Sequence, residues 1–233
     1  MHICYILLSP TWGMHQYTAD FANRMVLAGH QVSLLTTRHY PRDRYLPEVQ
    51  VRTPVDTRDT GFSANAFRFS GARAAHAEVC NLQPDVVHIT GPHAWNVTLL
   101  WLLRRTAIPA VHTLHDLEPH SGSPYGRLLL LWNKSIVRQA DQILVHGRRY
   151  REQLLKGGLP PERVTYTPLL HLSLGAAWWQ DLESLAADVC HEPWGLFFGR
   201  LERYKGVDHL VAAAGALNGQ PPGARSLVLA GPG

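Results

Sequence analysis

Arg200 and Lys205 are two cations five residues apart in the run Gly-Arg-Leu-Glu-Arg-Tyr-Lys-Gly. An apolar segment ends before them at Phe198, and an apolar-periodic segment begins after them near Val207, so the pattern predicts a strand, a loop and a helix. Two side-chain cations beside a helix N-terminus suit a doubly charged diphosphate, because the helix dipole adds to their charge. The spacing alone is equally compatible with a solvated loop that carries two surface cations.

Other candidate residues follow predicted strands, because ligands of parallel α/β sheets bind at the carboxyl ends of the strands. His115 comes directly after one apolar run and could contact a sugar hydroxyl or a carboxylate. Asp116 follows it, although Asp is also an ordinary turn residue. Gly13 stands at the head of the first predicted helix, where the missing Cβ would let an acceptor or a phosphate approach the backbone.

The remaining histidines of these segments are predicted to be structural. His88 lies inside an apolar strand, which favours a hydrogen-bonded core residue over a ligand. We interpret His93, His112 and His146 as bystanders. No histidine pair has the H-E-x-x-H spacing or a similar metal-binding spacing.

Short apolar runs that alternate with helical patterns must position these residues. The runs predict strands that start near Ile3, Val32, Val86, Val111, Ile143 and Val164, and a short strand at 49–52. Helices are expected after Gly13 and at 64–82, with an interruption at Gly71, and at 94–105, 128–139 and 148–156. This alternation is typical of an α/β fold, a doubly wound parallel sheet of the Rossmann-like kind. The first loop has one glycine where G-x-G-x-x-G needs three, which argues against NAD or FAD.

The pattern divides the chain into unequal parts. Residues 1–170 are expected to form one complete domain, 171–193 an interdomain connection, and 194–233 an incomplete second α/β domain of two strands and one helix. Three elements cannot cover both faces of a parallel sheet, so we expect its apolar strand residues to be exposed. We therefore expect the sequence to be the amino-terminal part of a longer enzyme or a truncated copy.

Composition argues against several functional classes. The net charge is +4, but the cations are scattered and no basic run of five occurs, so nucleic-acid binding has no support. Cys4, Cys80 and Cys190 are too few and too far apart for a disulfide framework or a zinc site, which favours a reduced, cytoplasmic compartment. The longest apolar windows fall well short of the roughly 20 residues that span a bilayer.

The run from Gly199 to Ala214 resembles the G-R-L-x(3)-K-G-x(3)-L-(I/V)-x-A signature of family 4 of the GT-B glycosyltransferases, which are retaining and use nucleotide-sugar donors. Four further segments resemble family elements in the same order: Gly-His-Gln-Val at 29–32, Pro-Asp-Val-Val-His at 84–88, Thr-Leu-His-Asp at 113–116 and Ala-Asp-Gln-Ile at 140–143. Together these matches extend the resemblance, and the GT-B fold that it implies, over nearly all of the chain.

The resemblance implies roles for the candidate residues. Arg200 and Lys205 would hold the donor diphosphate, so no metal and no cofactor would be required, and His115 would lie beside the transferred sugar. The leaving diphosphate would be stabilised by fixed charge while the acceptor attacks from the same face. The family's downstream E-x(7)-E pair would fall beyond Gly233.

Two segments depart from the family pattern. Trp12-Gly13 stands where most members have two glycines, so the acceptor side is expected to be narrowed or rebuilt. Thr-Tyr-Thr-Pro-Leu at 165–169 stands where members usually carry Pro-Asn-Gly before the crossing to the second domain. The geometry of that crossing is therefore open.

Three functions remain compatible with the sequence. The favoured one is a retaining glycosyltransferase that uses a sugar, a lipid-linked molecule or a small molecule as acceptor. A noncatalytic protein that binds a nucleotide sugar or an acceptor is the alternative, and a sugar-nucleotide epimerase on the same fold is a third. Leu128 to Trp132, with basic residues around them, could contact the inner membrane surface peripherally, but we favour a helix face packed in the core.

Overall fold

The computed structural model describes residues 1–58, 69–118, 126–169, 194–199, 201, 205–217 and 226–231. The chain divides into two compact units, Met1–Trp178 and Trp179–Gly233. The connection expected at 171–193 lies outside the described residues.

The described residues of the first unit form seven parallel strands and five α-helices. In chain order they are β1 His2–Leu7, α1 Trp12–Leu27, β2 Gln31–Thr37, β3 Gln50–Val55, α2 Ser70–Leu82, β4 Val86–Ile89, α3 Trp95–Leu103, β5 Ala110–Leu114, α4 Gly126–Gln139, β6 Gln142–Val145, α5 Arg148–Lys156 and β7 Val164–Tyr166. The sheet order is β3-β2-β1-β4-β5-β6-β7, and every neighbouring pair is parallel. The predicted doubly wound parallel sheet is confirmed.

The sheet is buried on both faces, because successive side chains of a strand point to opposite sides. Ile3 and Tyr5 of β1 pack in a cluster with Ala19 and Ala22 of α1. Ile6, on the opposite face of the same strand, packs in the larger cluster that includes side chains from α2, α3, α4 and α5. This two-sided burial explains why the strands read as continuous apolar runs rather than as alternating ones.

Strand order reverses between β1 and β4. From β1 the chain moves outward to β2 and β3, and from β4 it moves in the other direction to β7. The carboxyl ends of β1 and β4 therefore flank the switch point, where doubly wound folds form their ligand crevice.

The predicted interruption of α2 at Gly71 is wrong. The described part of this segment begins its helix at Ser70 and continues through Gly71, while residues 59–68 lie outside the description. A Cβ at Gly71 would overlap the indole ring of Trp95 on α3. The glycine thus allows close packing of two helices and does not break one.

The run at 128–132 is only partly core, which corrects the sequence-based expectation. Trp132 is buried and Leu129 packs against the core, but Leu128, Leu130 and Leu131 are exposed. The helical period separates these two sets of side chains onto different faces of α4. None of the helices in the described part of the chain is long and apolar enough to cross a bilayer.

The second unit contains the predicted strand, helix and strand. These are β8 Trp194–Phe198, α6 Val207–Leu217 and β9 Ser226–Ala230, with β8 and β9 paired in parallel. Among its described residues none is buried. Leu196, Phe198, Val228 and Leu229 are exposed, as predicted, whereas Phe197 and Leu227, which were also predicted to be exposed, are partly buried.

Candidate functional site

Hydroxyl groups connect the two strand ends that flank the switch point. Thr18 of α1 donates a hydrogen bond to the Met14 carbonyl at 2.8 Å and shares a second one of 2.7 Å with Thr90, which follows β4. Ser9 and Thr11 in the loop after β1 share a hydrogen bond of 2.7 Å. The loop after β1, the first turns of α1 and the end of β4 are thereby held together at the mouth of the crevice.

His115 follows β5 and is oriented by the end of β4. Its Nε2 lies 2.7 Å from the carbonyl oxygen of Thr90. A carbonyl only accepts, so Nε2 carries the proton, and in the neutral ring Nδ1 holds the lone pair. Burial lowers the pKa of His115, which favours this neutral form at neutral pH. The ring is therefore suited to accept a hydrogen bond from a hydroxyl group through Nδ1.

His146 follows β6 and lies beside His115, with 5.2 Å between the ring centroids. Its Nδ1 donates to the carbonyl oxygen of Thr167 at 2.8 Å, so Nδ1 carries a proton. Its Nε2 is buried and has no hydrogen-bond partner among the described residues. The sequence analysis interpreted His146 as a bystander, although it follows a strand just as His115 does.

Tyr17 of α1 supports both rings. Its ring centroid lies 4.9 Å from that of His115 and 5.1 Å from that of His146, with both pairs edge-on. Its hydroxyl group lies 3.2 Å from Thr113 Oγ1, which is 2.8 Å from His88 Nε2. We call Tyr17, His115 and His146 the histidine cluster. It is fixed by α1 on one side and by main-chain carbonyls on the other.

His88 and His112 lie in the buried strands beneath this cluster. His88 is hydrogen-bonded in the core, as predicted, and burial lowers its pKa to about 3. His112 accepts a hydrogen bond of 3.1 Å from Asn96 Nδ2, and burial lowers its pKa to about 3 as well. Both rings are neutral at pH 7, so the positive charge of a protonated imidazole is absent beneath the crevice.

Asp116 is exposed at the end of β5, next to His115 in the chain. Asn133 of α4 donates to the main-chain carbonyls of Asp116 and Leu117 at 3.1 and 3.0 Å. The negative charge of the Asp116 carboxylate opposes the effect of burial and acts to raise the pKa of His115. The structure thus fixes the backbone at this strand end and leaves the carboxylate accessible to solvent.

Gly13 is the second residue of α1 and is exposed. A Cβ at this position would meet no heavy atom within 4 Å, and the first turn carries no acidic residue. Among the described residues, no side chain fills the space beside Gly13, and the approach of a ligand to this backbone stays a prediction. Trp12, the first residue of the helix, is 52% exposed.

The two predicted diphosphate-binding cations belong to the second unit. Lys205 is exposed and lies two positions before the first residue of α6. Gly206, between them, has φ +72°, a left-handed conformation that glycine adopts without strain. Arg200 lies outside the described residues. The predicted placement of Lys205 at the head of a helix is confirmed.

Comparison with known proteins points to one family. A model described as a glycosyl transferase 4-like domain matches residues 13–169. The D-inositol 3-phosphate glycosyltransferase of Actinosynnema mirum is 29% identical over 250 positions, which cover 94% of this chain and 58% of that protein. The family match includes the whole histidine cluster and begins at Gly13.

Solved structures share the fold at low sequence identity. HepE of Anabaena, in complex with UDP and glucose, has a TM-score of 0.62 and 14% identity, and covers 97% of this chain and 60% of its own. A putative UDP-N-acetylglucosamine 2-epimerase of Listeria monocytogenes has a TM-score of 0.65 and 12% identity, with 98% and 61% coverage. The chain therefore spans about three-fifths of the length of each of these proteins.

Proposed function

This chain belongs to the glycosyl transferase 4-like family, and from that premise we propose that it transfers a sugar from a nucleotide-sugar donor to an acceptor with retention of anomeric configuration. The observation that carries the proposal is the position of His115, a neutral imidazole oriented at the switch-point crevice. The complex of HepE with UDP and glucose supports a nucleotide sugar as the donor. The acceptor is a sugar, a lipid-linked molecule or a small molecule.

In this proposal His115 orients the transferred sugar. Its Nδ1 accepts a hydrogen bond from a sugar hydroxyl, because Nε2 already donates to Thr90. Asp116 follows His115 in the chain and is exposed, and it is the second candidate for contact with the reacting groups. Tyr17 and His146 hold the His115 ring in place, so its orientation is set before the substrate binds.

Arg200 and Lys205 hold the donor diphosphate in the same proposal, with fixed cations in the role that a metal has in other transferases. As the bond from the anomeric carbon to the diphosphate breaks, these charges stabilise the leaving group. The acceptor oxygen bonds to the anomeric carbon from the same face, and its proton passes to the departing diphosphate oxygen. No covalent sugar–enzyme intermediate is involved.

Nucleotide binding tests the diphosphate assignment. We expect Arg200→Ala and Lys205→Ala each to weaken binding of the tightest nucleoside diphosphate from a UDP, GDP and ADP panel by about 1.5 to 3 kcal/mol, because each removes a charge-assisted bond. Arg203→Ala removes the same charge from the same loop and is the matched control. The assignment would be contradicted if calorimetry gave both test variants the parental nucleotide affinity. It would also be contradicted if their affinities did not differ from that of Arg203→Ala.

Radiolabelled transfer with a panel of nucleotide sugars tests the reaction itself. The 233-residue chain should be assayed beside a version extended with a complete second domain. His115→Asn should abolish transfer and leave nucleotide affinity unchanged, whereas His76→Asn on α2 should affect neither. Transfer by His115→Asn at the parental rate would contradict the role of His115.

A noncatalytic protein that binds a nucleotide sugar is the second candidate. The observation that favours it is the second unit, in which no described residue is buried. Nucleotide binding without transfer, in the short and extended forms alike, would support this alternative. An epimerised donor among the products would instead indicate an epimerase, the third function.

Exposed leucines on α4 support a further part of the proposal, which is that the cytoplasmic protein contacts a membrane surface peripherally. Leu128 and Leu131 are 51% and 64% exposed, and Lys134 and Arg138 are exposed on the same helix. Leu128→Ser with Leu131→Ser should abolish co-sedimentation with anionic liposomes while the circular dichroism spectrum is retained. Equal sedimentation of this variant and the parent would exclude α4 as the contact.

A further inference from the structure

A groove lies between α4 and α5 in the first unit. Its volume is about 590 Å³, a size typical of pockets that bind small ligands. Positions 130, 133, 134, 137 and 138 of α4 line it, and this spacing places them on one face of the helix over a length of about 12 Å. The rest of the lining comes from α5, from the residues that follow α5 and from Leu117 and Glu118 after β5. We call this feature the α4–α5 groove.

The surface of the α4–α5 groove is mostly apolar. Its apolar side chains include Leu117, Leu130, Val137, Leu154 and Leu159. Leu154 and Leu159 belong to the buried core of the unit, whereas Leu130 is 40% exposed. A ligand that lies in the groove therefore removes apolar surface from water, which favours binding.

The polar side chains that line the groove already have partners within the protein. Asn133 and Arg163 donate hydrogen bonds to main-chain carbonyl oxygens, and Gln153 donates to a carboxylate oxygen of Glu118 at 2.7 Å. Because these donors serve the protein itself, the groove favours an apolar ligand segment over a polar one.

Positive charge lies along the side of the groove that α4 forms. Lys134 and Arg138 are one helical turn apart and exposed, and neither has an acidic partner within ion-pair distance among the described residues. Glu118 opposes their charge, but its carboxylate lies 3.7 Å from the guanidinium of Arg149. Arg163 adds a third positive charge to the lining. The groove therefore complements a ligand that is apolar along its length and carries an anionic group.

We propose that the α4–α5 groove binds one acyl chain of an anionic membrane lipid. The chain lies against Leu130, Val137 and Leu159, and the anionic headgroup is attracted by Lys134 and Arg138. This inference rests on the proposed membrane contact of α4, because that membrane supplies the lipid. It adds a site for a single lipid molecule to a contact that would otherwise consist of exposed leucines on the helix surface.

Two neighbouring leucines of α4 form a matched pair for testing the groove. Leu130 lines the groove, whereas Leu131 does not and is more exposed, at 64%. Leu130→Ser and Leu131→Ser thus make the same chemical change at adjacent exposed positions. Arg73 of α2 and Arg104 after α3 are exposed and lie outside the groove lining, so their replacement by Ser is the control for loss of two positive charges.

Titration calorimetry of the 233-residue chain with lysophosphatidylglycerol below its critical micelle concentration tests the proposal. This lipid should bind about tenfold more tightly than lysophosphatidylcholine of the same chain length, because two cations attract its headgroup. Glycerol phosphate, which lacks the chain, should not bind measurably. Leu130→Ser should weaken binding of both lipids by about fivefold, since it removes part of the apolar wall, and Leu131→Ser should leave their binding unchanged.

The charge variants test the headgroup contact. Lys134→Ser combined with Arg138→Ser should remove the preference for lysophosphatidylglycerol, and Arg73→Ser combined with Arg104→Ser should retain it. Three results would overturn the proposal: no binding of the monomeric anionic lipid, equal binding of the two lipids by the parent, or equal losses in Leu130→Ser and Leu131→Ser. All the replaced side chains are exposed, and circular dichroism confirms that each variant is folded.

Liposome co-sedimentation of the same samples separates this proposal from the membrane contact on which it rests. Binding of the monomeric lipid through Leu130, without sedimentation of the parent, would contradict the membrane contact and leave the groove. Sedimentation that depends on Leu128 and Leu131, with lipid binding that ignores Leu130, would contradict the groove alone. UDP affinity should be the same in all these variants, because none of them changes the donor site.

Discussion

β1 in the first unit and β8 in the second are both short apolar strands with parallel neighbours, yet Ile6 is fully buried whereas Phe198 is 84% exposed. β1 pairs on both edges and is covered by helices on both faces. β8 pairs with β9, and the described part of its unit adds one helix, α6, in which no residue is buried.

The difference shows that an apolar run specifies a strand but does not by itself specify a core. Burial requires elements on both faces of a parallel sheet, and these come from the crossover helices that follow each strand. The described residues of the first unit provide five α-helices for seven strands, and these elements form two buried hydrophobic clusters. Hydrophobic stabilisation should accordingly be concentrated in the first unit.

Truncation of one buried side chain should give the largest effect. Leu99 of α3 is completely buried, so Leu99→Ala should lower the free energy of unfolding by about 2 to 5 kcal/mol. Phe198→Ala removes a larger side chain from β8 but should change it by less than about 0.5 kcal/mol, because that ring is already exposed. Urea unfolding followed by circular dichroism, with hydrogen exchange to locate the change, measures both. A larger loss in Phe198→Ala would reverse the comparison.

A pair of glycine substitutions should give the next largest difference. Gly71→Ala should destabilise the first unit by about 1 to 3 kcal/mol, because the added methyl group overlaps Trp95. Gly215→Ala on α6 meets no heavy atom within 4 Å, so it should stabilise that helix by about 0.5 to 1 kcal/mol. Thermal unfolding and hydrogen exchange of the two helices check the opposite signs. A neutral Gly71→Ala would show that α2 and α3 can separate at low cost.

The pH dependence of stability tests whether burial in the first unit extends to a titratable side chain. Burial lowers the pKa of His88 to about 3, below the unfolded value of 6.5, so the unfolded chain binds the proton first as the pH falls. The stability is complete above pH 6.5 and should decrease below it by about 1.4 kcal/mol per pH unit for this histidine. His88→Gln should reduce the slope by that amount between pH 6.5 and 4.5, as measured by urea unfolding. An unchanged slope would mean that His88 is not buried as a neutral ring.

Sequence reasoning predicted the sheet well because its strands are continuous apolar runs bounded by glycine, proline and polar residues. It also placed His115 at a strand end, since that follows from the order of residues alone. It did not predict that the His146 ring lies beside the His115 ring. That contact depends on β5 and β6 being neighbouring strands and on Tyr17 of α1 contacting both rings.

The exposure of α4 and the cation–π contact between Arg44 and Trp12 could not be predicted for a similar reason. The periodicity of α4 allows more than one rotation against the sheet, and only the packing of Trp132 and Ile136 decides that Leu128 and Leu131 face outward. Arg44 reaches Trp12 because Asn23 holds its segment against α1. Such contacts join residues that are distant in sequence and carry no local signal.

The position of β1 has a consequence for how the chain folds during its synthesis. β1 precedes the other six strands of its sheet in the chain, yet it lies inside the sheet, and Ile3 pairs with both Val32 and Val86. The edge toward β2 can be paired early, but the edge toward β4 stays open until residues 86–89 have left the ribosome. At roughly 5 to 20 residues per second this delay lasts about 3 to 10 seconds after β2 is complete. During that time the nascent chain exposes an unpaired apolar strand, the kind of edge that promotes misassembly and that holding chaperones recognise.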